Sequence, residues 1–165
     1  MRPESRLQSA VVKFARHCIE GPHLVLAHDR SAPTDSMDHF WQSTRGVLAG
    51  TPDTQLLVPG FSVWCELKWA RGKPSERQYD IGRQIIAAGH KWFWTNSVEG
   101  YRAGLEAAGV ALTPNARVVA MNYDAALVEA AGGVVRKATR KPRAEKPSRR
   151  ALNAVARARG KGVFA

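Results

Sequence analysis

The chain contains no uncharged apolar run approaching the roughly 20 residues that span a bilayer, so nothing in it reads as a transmembrane helix. Residues 1–20 scatter Glu4, Arg6, Lys13, Arg16 and Glu20 among the apolar positions, which is unlike a secretory signal. Cysteine is scarce. Cys18 and Cys65 have no metal-ligand spacing, and Cys65 sits inside an apolar alternation, so both are expected as reduced core thiols of a cytoplasmic protein. No internal repeat is visible. Acidic residues are also few, 14 against 25 Lys and Arg, leaving a formal net charge of +11.

That charge is unevenly spread. Residues 136–165 carry eleven basic residues, among them Arg149 and Arg150, against the single acid Glu145, a net of +10. The remainder is close to neutral, at +1. A polyanion partner is the physical reading of such a tail, because each neutralised phosphate releases condensed counterions. A merely solubilising terminus is the alternative. With 165 residues, 44% of them hydrophobic, the chain has enough apolar content for one core plus appendages.

The pattern along the chain is mixed α/β. Leu7, Val11, Phe14, Ala15 and Cys18 recur at helical spacing over residues 4–19. "HLVLAH" (23–28) reads as a strand, and residues 29–50 are polar and irregular. A second strand is expected over 54–58, closed by the turn signal Pro59-Gly60. The third, "FSVWCELKW", alternates: Phe61, Val63, Cys65 and Leu67 on one side, Ser62, Trp64, Glu66 and Lys68 on the other, with Glu66 and Lys68 expected to face outward. Ser75 and Gln78 make a capping box for a helix ending at Gly89. "KWFWTN" (91–96) is a fourth strand, and a helix over 97–108 closes at Gly109. The core is thus expected over 1–110, followed by an extension (111–135) with a helix through "YDAALVEAAGG", and then the basic tail (136–165).

One stretch carries chemistry. Residues i and i+2 of a strand share a face roughly 7 Å apart, so Glu66 and Lys68 would address the same ligand. Counting symmetrically about the 59–60 turn sets Asp53 opposite position 66. Two adjacent carboxylates need a shared proton or a cation. A hard ion such as Mg²⁺ takes one or two carboxylates, keeps several waters and completes its shell with phosphate oxygens. Without such a role, Asp53 is a turn carboxylate and Glu66–Lys68 a solvated ion pair.

"GTPD" followed by "CELK" resembles the PD-(D/E)XK nucleases, and Glu4, Gly50, Pro52, Asp53, Glu66, Lys68, Ser75 and Gln78 together resemble the VRR-NUC family, the virus-type replication-repair nucleases. The resemblance covers about residues 4–100. It implies a restriction-endonuclease-like core in the order α-β-β-β-α-β-α, acting as a DNA endonuclease with Mg²⁺ or Mn²⁺. Asp53, Glu66, the Leu67 backbone carbonyl and Glu4 would approach the metal, Lys68 would be the catalytic lysine, and Gln78 would reach the lysine or the phosphate. In the alternative reading Gln78 serves only the cap. The resemblance further implies 5′-phosphate and 3′-hydroxyl products, a homodimer, a preference for branched DNA such as four-way junctions, and a bacterial or phage setting. His28 would line the site, and Arg45, Arg71 and Lys73 would contact phosphates, unless they are ordinary loop charges. Trp64, Trp92 and Trp94 read as packing residues before base-stacking ones. Two alternatives stay open: a non-catalytic DNA-binding module on the same fold, and a nicking, flap or restriction-type nuclease.

Overall fold

The apolar positions at helical spacing form the buried stripe of α1 (Pro3–Cys18) in a computed structural model that describes residues 3–28 and 50–132. Pro3 opens this helix, where a missing N–H costs nothing, and Glu4 occupies the first turn, favourable to the helix dipole. Four strands follow: β1 (Leu24–Ala27), β2 (Thr54–Val58), β3 (Phe61–Leu67) and β4 (Lys91–Thr95). They lie in one sheet in chain order, the first two pairings antiparallel and the third parallel. A parallel pair needs a crossover. α2 (Glu76–Ala87) supplies it between β3 and β4, and α3 (Val98–Ala107) and α4 (Ala116–Ala130) complete the order. The protein is therefore mixed α/β, a four-stranded mixed sheet flanked by helices.

Register sorts the side chains into two faces. Val25, Leu56 and Val63 share one row and Thr54 pairs with Cys65. With Leu67, these apolar residues are buried beside Leu7, Val11 and Phe14 of α1 and Val98, Tyr101 and Leu105 of α3. Phe14 meets Tyr101 edge-on at 6.3 Å between centroids. The opposite face is not solvated over β3, contrary to the outward orientation expected for Glu66. α2 covers it, and Ser62 and Glu66 are buried. Burial on both faces is what a central strand beside a crossover helix acquires.

The helix expected within 123–133 begins at Ala116 instead, and it belongs to the core. Ala116 and Ala120 are buried, and the Asp124 carboxylate accepts the Val98 and Glu99 N–H groups at 2.7 and 3.0 Å. α4 thereby caps the N-terminus of α3, satisfying donors that a helix end leaves open. Chain contacts divide the protein into Met1–Val134 and Val135–Ala165, the second outside the described residues. Both cysteines are free and buried, and among the described residues no helix is long and apolar enough to cross a membrane.

Candidate active site

Gly50 begins the approach to the site. Its φ of +95° belongs to the region that favours glycine, and a Cβ there would stand 3.0 Å from Ile81 Cδ1 and 3.3 Å from Arg77 Cγ. The glycine therefore lets the chain turn beneath α2 and deliver Pro52 and Asp53, both buried, to the start of β2.

β2 and β3 pair Thr54 with Cys65, so the next step outward sets Asp53 opposite Glu66, as the count about the turn gives. The same row extends through His28, whose N–H donates to the Asp53 carbonyl at 2.9 Å, and through Trp94, paired with Glu66. Beyond the last paired residues of β2, the Asp53 side chain takes over from the backbone: its Oδ2 accepts the Leu67 N–H at 2.6 Å. The contact seen at Leu67 is thus its amide.

Glu66 is fully buried, and Asp53 is 5% exposed. Glu66 Oε1 accepts from Lys68 Nζ at 2.8 Å and from Gln78 Nε2 at 2.7 Å. The Glu66–Lys68 pair is real, but it is a buried contact rather than a solvated one, since the Lys68 side chain is only 13% exposed. A buried carboxylate requires such partners. Gln78 serves the cap but not the cap alone, and its second contact is Glu66 rather than the lysine that the resemblance implies. Its Oε1 accepts the Ser75 N–H at 2.8 Å and completes the capping box, while its Nε2 reaches Glu66. Behind the strand, the Cys65 thiol is pushed well above its ordinary range, first by burial and then by the negative fields of Asp53 and Glu66. Both carboxylates therefore act on one point, and the thiol is held protonated.

The remaining candidates are more dispersed. Glu4 lies exposed in the first turn of α1, and among the described residues no three His, Cys, Asp or Glu side chains come together as a metal cluster. His28 is half-buried and stacks parallel to Trp64 at 5.9 Å, and burial lowers its pKa, favouring the neutral ring. Its Nε2 is buried with no protein partner. Arg71 and Lys73 are exposed on the loop after Lys68, which folds back through the Gly72 N–H to Trp69 carbonyl bond. The Asn96 side chain pins that loop by donating to the Ala70 carbonyl at 2.7 Å. Trp92 is half-buried and packs against Tyr79 of α2. Arg45, Arg149 and Arg150 lie outside the described residues.

Two residues at the site were not anticipated. Arg77 sits over Gly50, and Gln8 of α1 donates to the backbone oxygens of both His28 and Asp53 at 3.0 Å. Gln8 follows Glu4 by one helical turn, the only sequence signal that it shares a face with a suspected site residue.

The donors on hand suit a hard divalent cation. Two carboxylates in one cross-strand row form an all-oxygen set within the one or two that Mg²⁺ takes, leaving positions for water and phosphate oxygens. A protonated thiol facing the opposite side offers no soft ligand. No family model, curated protein or solved structure matches this chain.

Proposed function

We propose that the chain is a divalent-metal-dependent DNA endonuclease of the VRR-NUC type, built on a restriction-endonuclease-like core. The observation that carries the reading is the row in which Asp53 faces Glu66, with Lys68 Nζ 2.8 Å from the Glu66 carboxylate. Support comes also from the order of helix, three strands, helix, strand and helix in a mixed sheet, which is the arrangement the resemblance implies. Asp53, Glu66 and the Leu67 carbonyl would hold Mg²⁺ or Mn²⁺, which when bound stabilises negative charge developing on a phosphate. Lys68 supplies a cation beside the carboxylate row, where it orients the attacking water and offsets charge in the transition state. Gln78 fixes the Glu66 carboxylate that both of these depend on. Arg71 and Lys73, exposed on the loop after Lys68, and Arg77, exposed in the first turn of α2, would bind backbone phosphates.

The test is cleavage of DNA with Mg²⁺ or Mn²⁺ by the wild type, Asp53→Ala and Lys68→Ala. Each variant is expected to lose at least about 100-fold in rate while still binding DNA. Undiminished cleavage by both would remove the catalytic assignment. A competing reading, a DNA-binding module on the same fold, draws on the burial of Glu66 and its two existing partners, which would serve a purely structural network equally well. Binding without cleavage by any form, including the wild type, would favour it. The resemblance to junction-resolving homodimers extends the proposal to branched DNA. A panel of linear, flapped and four-way substrates separates that specialisation from nicking, flap or restriction-type cutting.

A further inference from the structure

Gln8 is half-buried at the edge of the apolar stripe of α1, beside Leu7 and Val11, which are fully buried. Its Nε2 lies 3.0 Å from the backbone oxygen of His28 and 3.0 Å from that of Asp53. Carbonyl oxygens only accept, so the orientation of the carboxamide is dictated: the amide end must face them, and its Nε2 donates to both. Those carbonyls belong to the pair that ends the β1–β2 ribbon, where the His28 N–H also donates to the Asp53 oxygen at 2.9 Å. The Asp53 carbonyl therefore takes one donor from the neighbouring strand end and one from the helix. At the other end of the same residue, Oδ2 accepts the Leu67 N–H at 2.6 Å. Asp53 is held by its main chain from two sides and by its carboxylate from a third.

An apolar side chain at position 8 would bury as well as its neighbours do, but it would withdraw one donor from each of these two carbonyls. The amide joins α1 directly to the backbone of the residue whose carboxylate faces Glu66. Without that grip the Asp53 main chain has one donor fewer to fix it, and the carboxylate's contact with the Leu67 amide is expected to loosen.

We infer that Gln8 is a positioning residue for Asp53, acting through the Asp53 main chain; the inference rests on the proposed metal site only for the use to which the held carboxylate is put. Gln8→Met keeps the length of the side chain and removes both donors. In the metal-free full-length protein, backbone amide exchange at Leu67 is expected to quicken roughly tenfold in Gln8→Met, the scale of one net hydrogen bond. Exchange at Leu105, in the core part of α3, keeps its wild-type rate. Gln8→Glu, which sets carboxylate oxygens against the two carbonyls, is expected to exceed Gln8→Met in this effect. In a second measurement Mn²⁺ alone is titrated into wild type and Gln8→Met by calorimetry, with binding about 10- to 100-fold weaker expected for the variant. Unchanged exchange at Leu67 overturns the inference, and so does equal quickening at Leu67 and Leu105, which marks general loosening. Equal Mn²⁺ affinity in the two proteins overturns it as well. A wild type that takes up no Mn²⁺ overturns the metal-site reading instead, while faster Leu67 exchange in Gln8→Met still upholds the positioning role.

Discussion

One carboxamide, that of Gln78, hydrogen-bonds in two directions: its oxygen closes the cap of α2 and its nitrogen holds Glu66. The two roles separate by substitution. Ser75→Ala removes the weaker half of the cap, the 3.4 Å contact to the Gln78 N–H, and is expected to cost about 1 kcal/mol in urea denaturation with cleavage largely retained. Gln78→Ala removes the cap partner and also leaves buried Glu66 one donor short. Its cost is expected to be larger, about 2–4 kcal/mol from the combined cap and burial terms, with a marked loss of cleavage. If both variants lost the same stability and neither lost activity, Gln78 would be a cap alone.

At the scale of elements, the two helices that sandwich β4 approach it through glycine. A Cβ on Gly82 of α2 would stand 2.4 Å from the Trp92 ring, and one on Gly104 of α3 would stand 2.4 Å from the Phe93 ring. Each helix thus sits as close to the sheet as a missing side chain allows, on opposite faces. Gly82→Ala and Gly104→Ala are both expected to destabilise by about 1–3 kcal/mol through overpacking. They should differ in function. α2 carries Gln78 and Arg77, so its displacement by Gly82→Ala is expected to lower cleavage at a temperature where both variants are folded, whereas Gly104→Ala should leave cleavage near the wild-type rate. Thermal denaturation and a cleavage assay at one fixed temperature compare them. Equal losses of cleavage would mean that the site depends on overall stability rather than on where α2 sits.

For the whole molecule, charge is the quantity that matters. The near-neutral part of the chain carries the candidate site, and the +10 of residues 136–165 lies outside the described residues. If that segment supplies sequence-independent affinity, deleting it weakens DNA binding most at low salt. The slope of log K against log salt concentration should then flatten by about 0.9 for each phosphate that is no longer neutralised. The metal-dependent cleavage rate at saturating DNA is expected to survive the deletion, since none of the carboxylate row lies in it. An unchanged salt slope measured by fluorescence anisotropy would refute the role.

Local patterns in the sequence were enough to place most elements and the pairing at the heart of the site. Strong periodicity marked α1, α2 and the strands, the Pro59-Gly60 turn dictated a hairpin register, and that register carries Asp53 to Glu66 because a tight turn leaves little freedom in how two strands align. α4 was only half legible. It buries the small Ala116 and Ala120 and packs Val119, Tyr123 and Leu127 against the core, while Val118, Met121 and Val128 lie exposed, so apolar residues fall on both faces and blur the stripe. Two features of the site arise only when the elements come together. The crossover of α2 buries Glu66, which alternation had turned toward solvent, and the packing of α1 beside the β1–β2 ends brings Gln8 to Asp53. The difference is one of range. Spacing within a strand or a turn is set by local backbone geometry, whereas burial and long-range hydrogen bonds depend on which element lands on which face, and that is settled by the core as a whole.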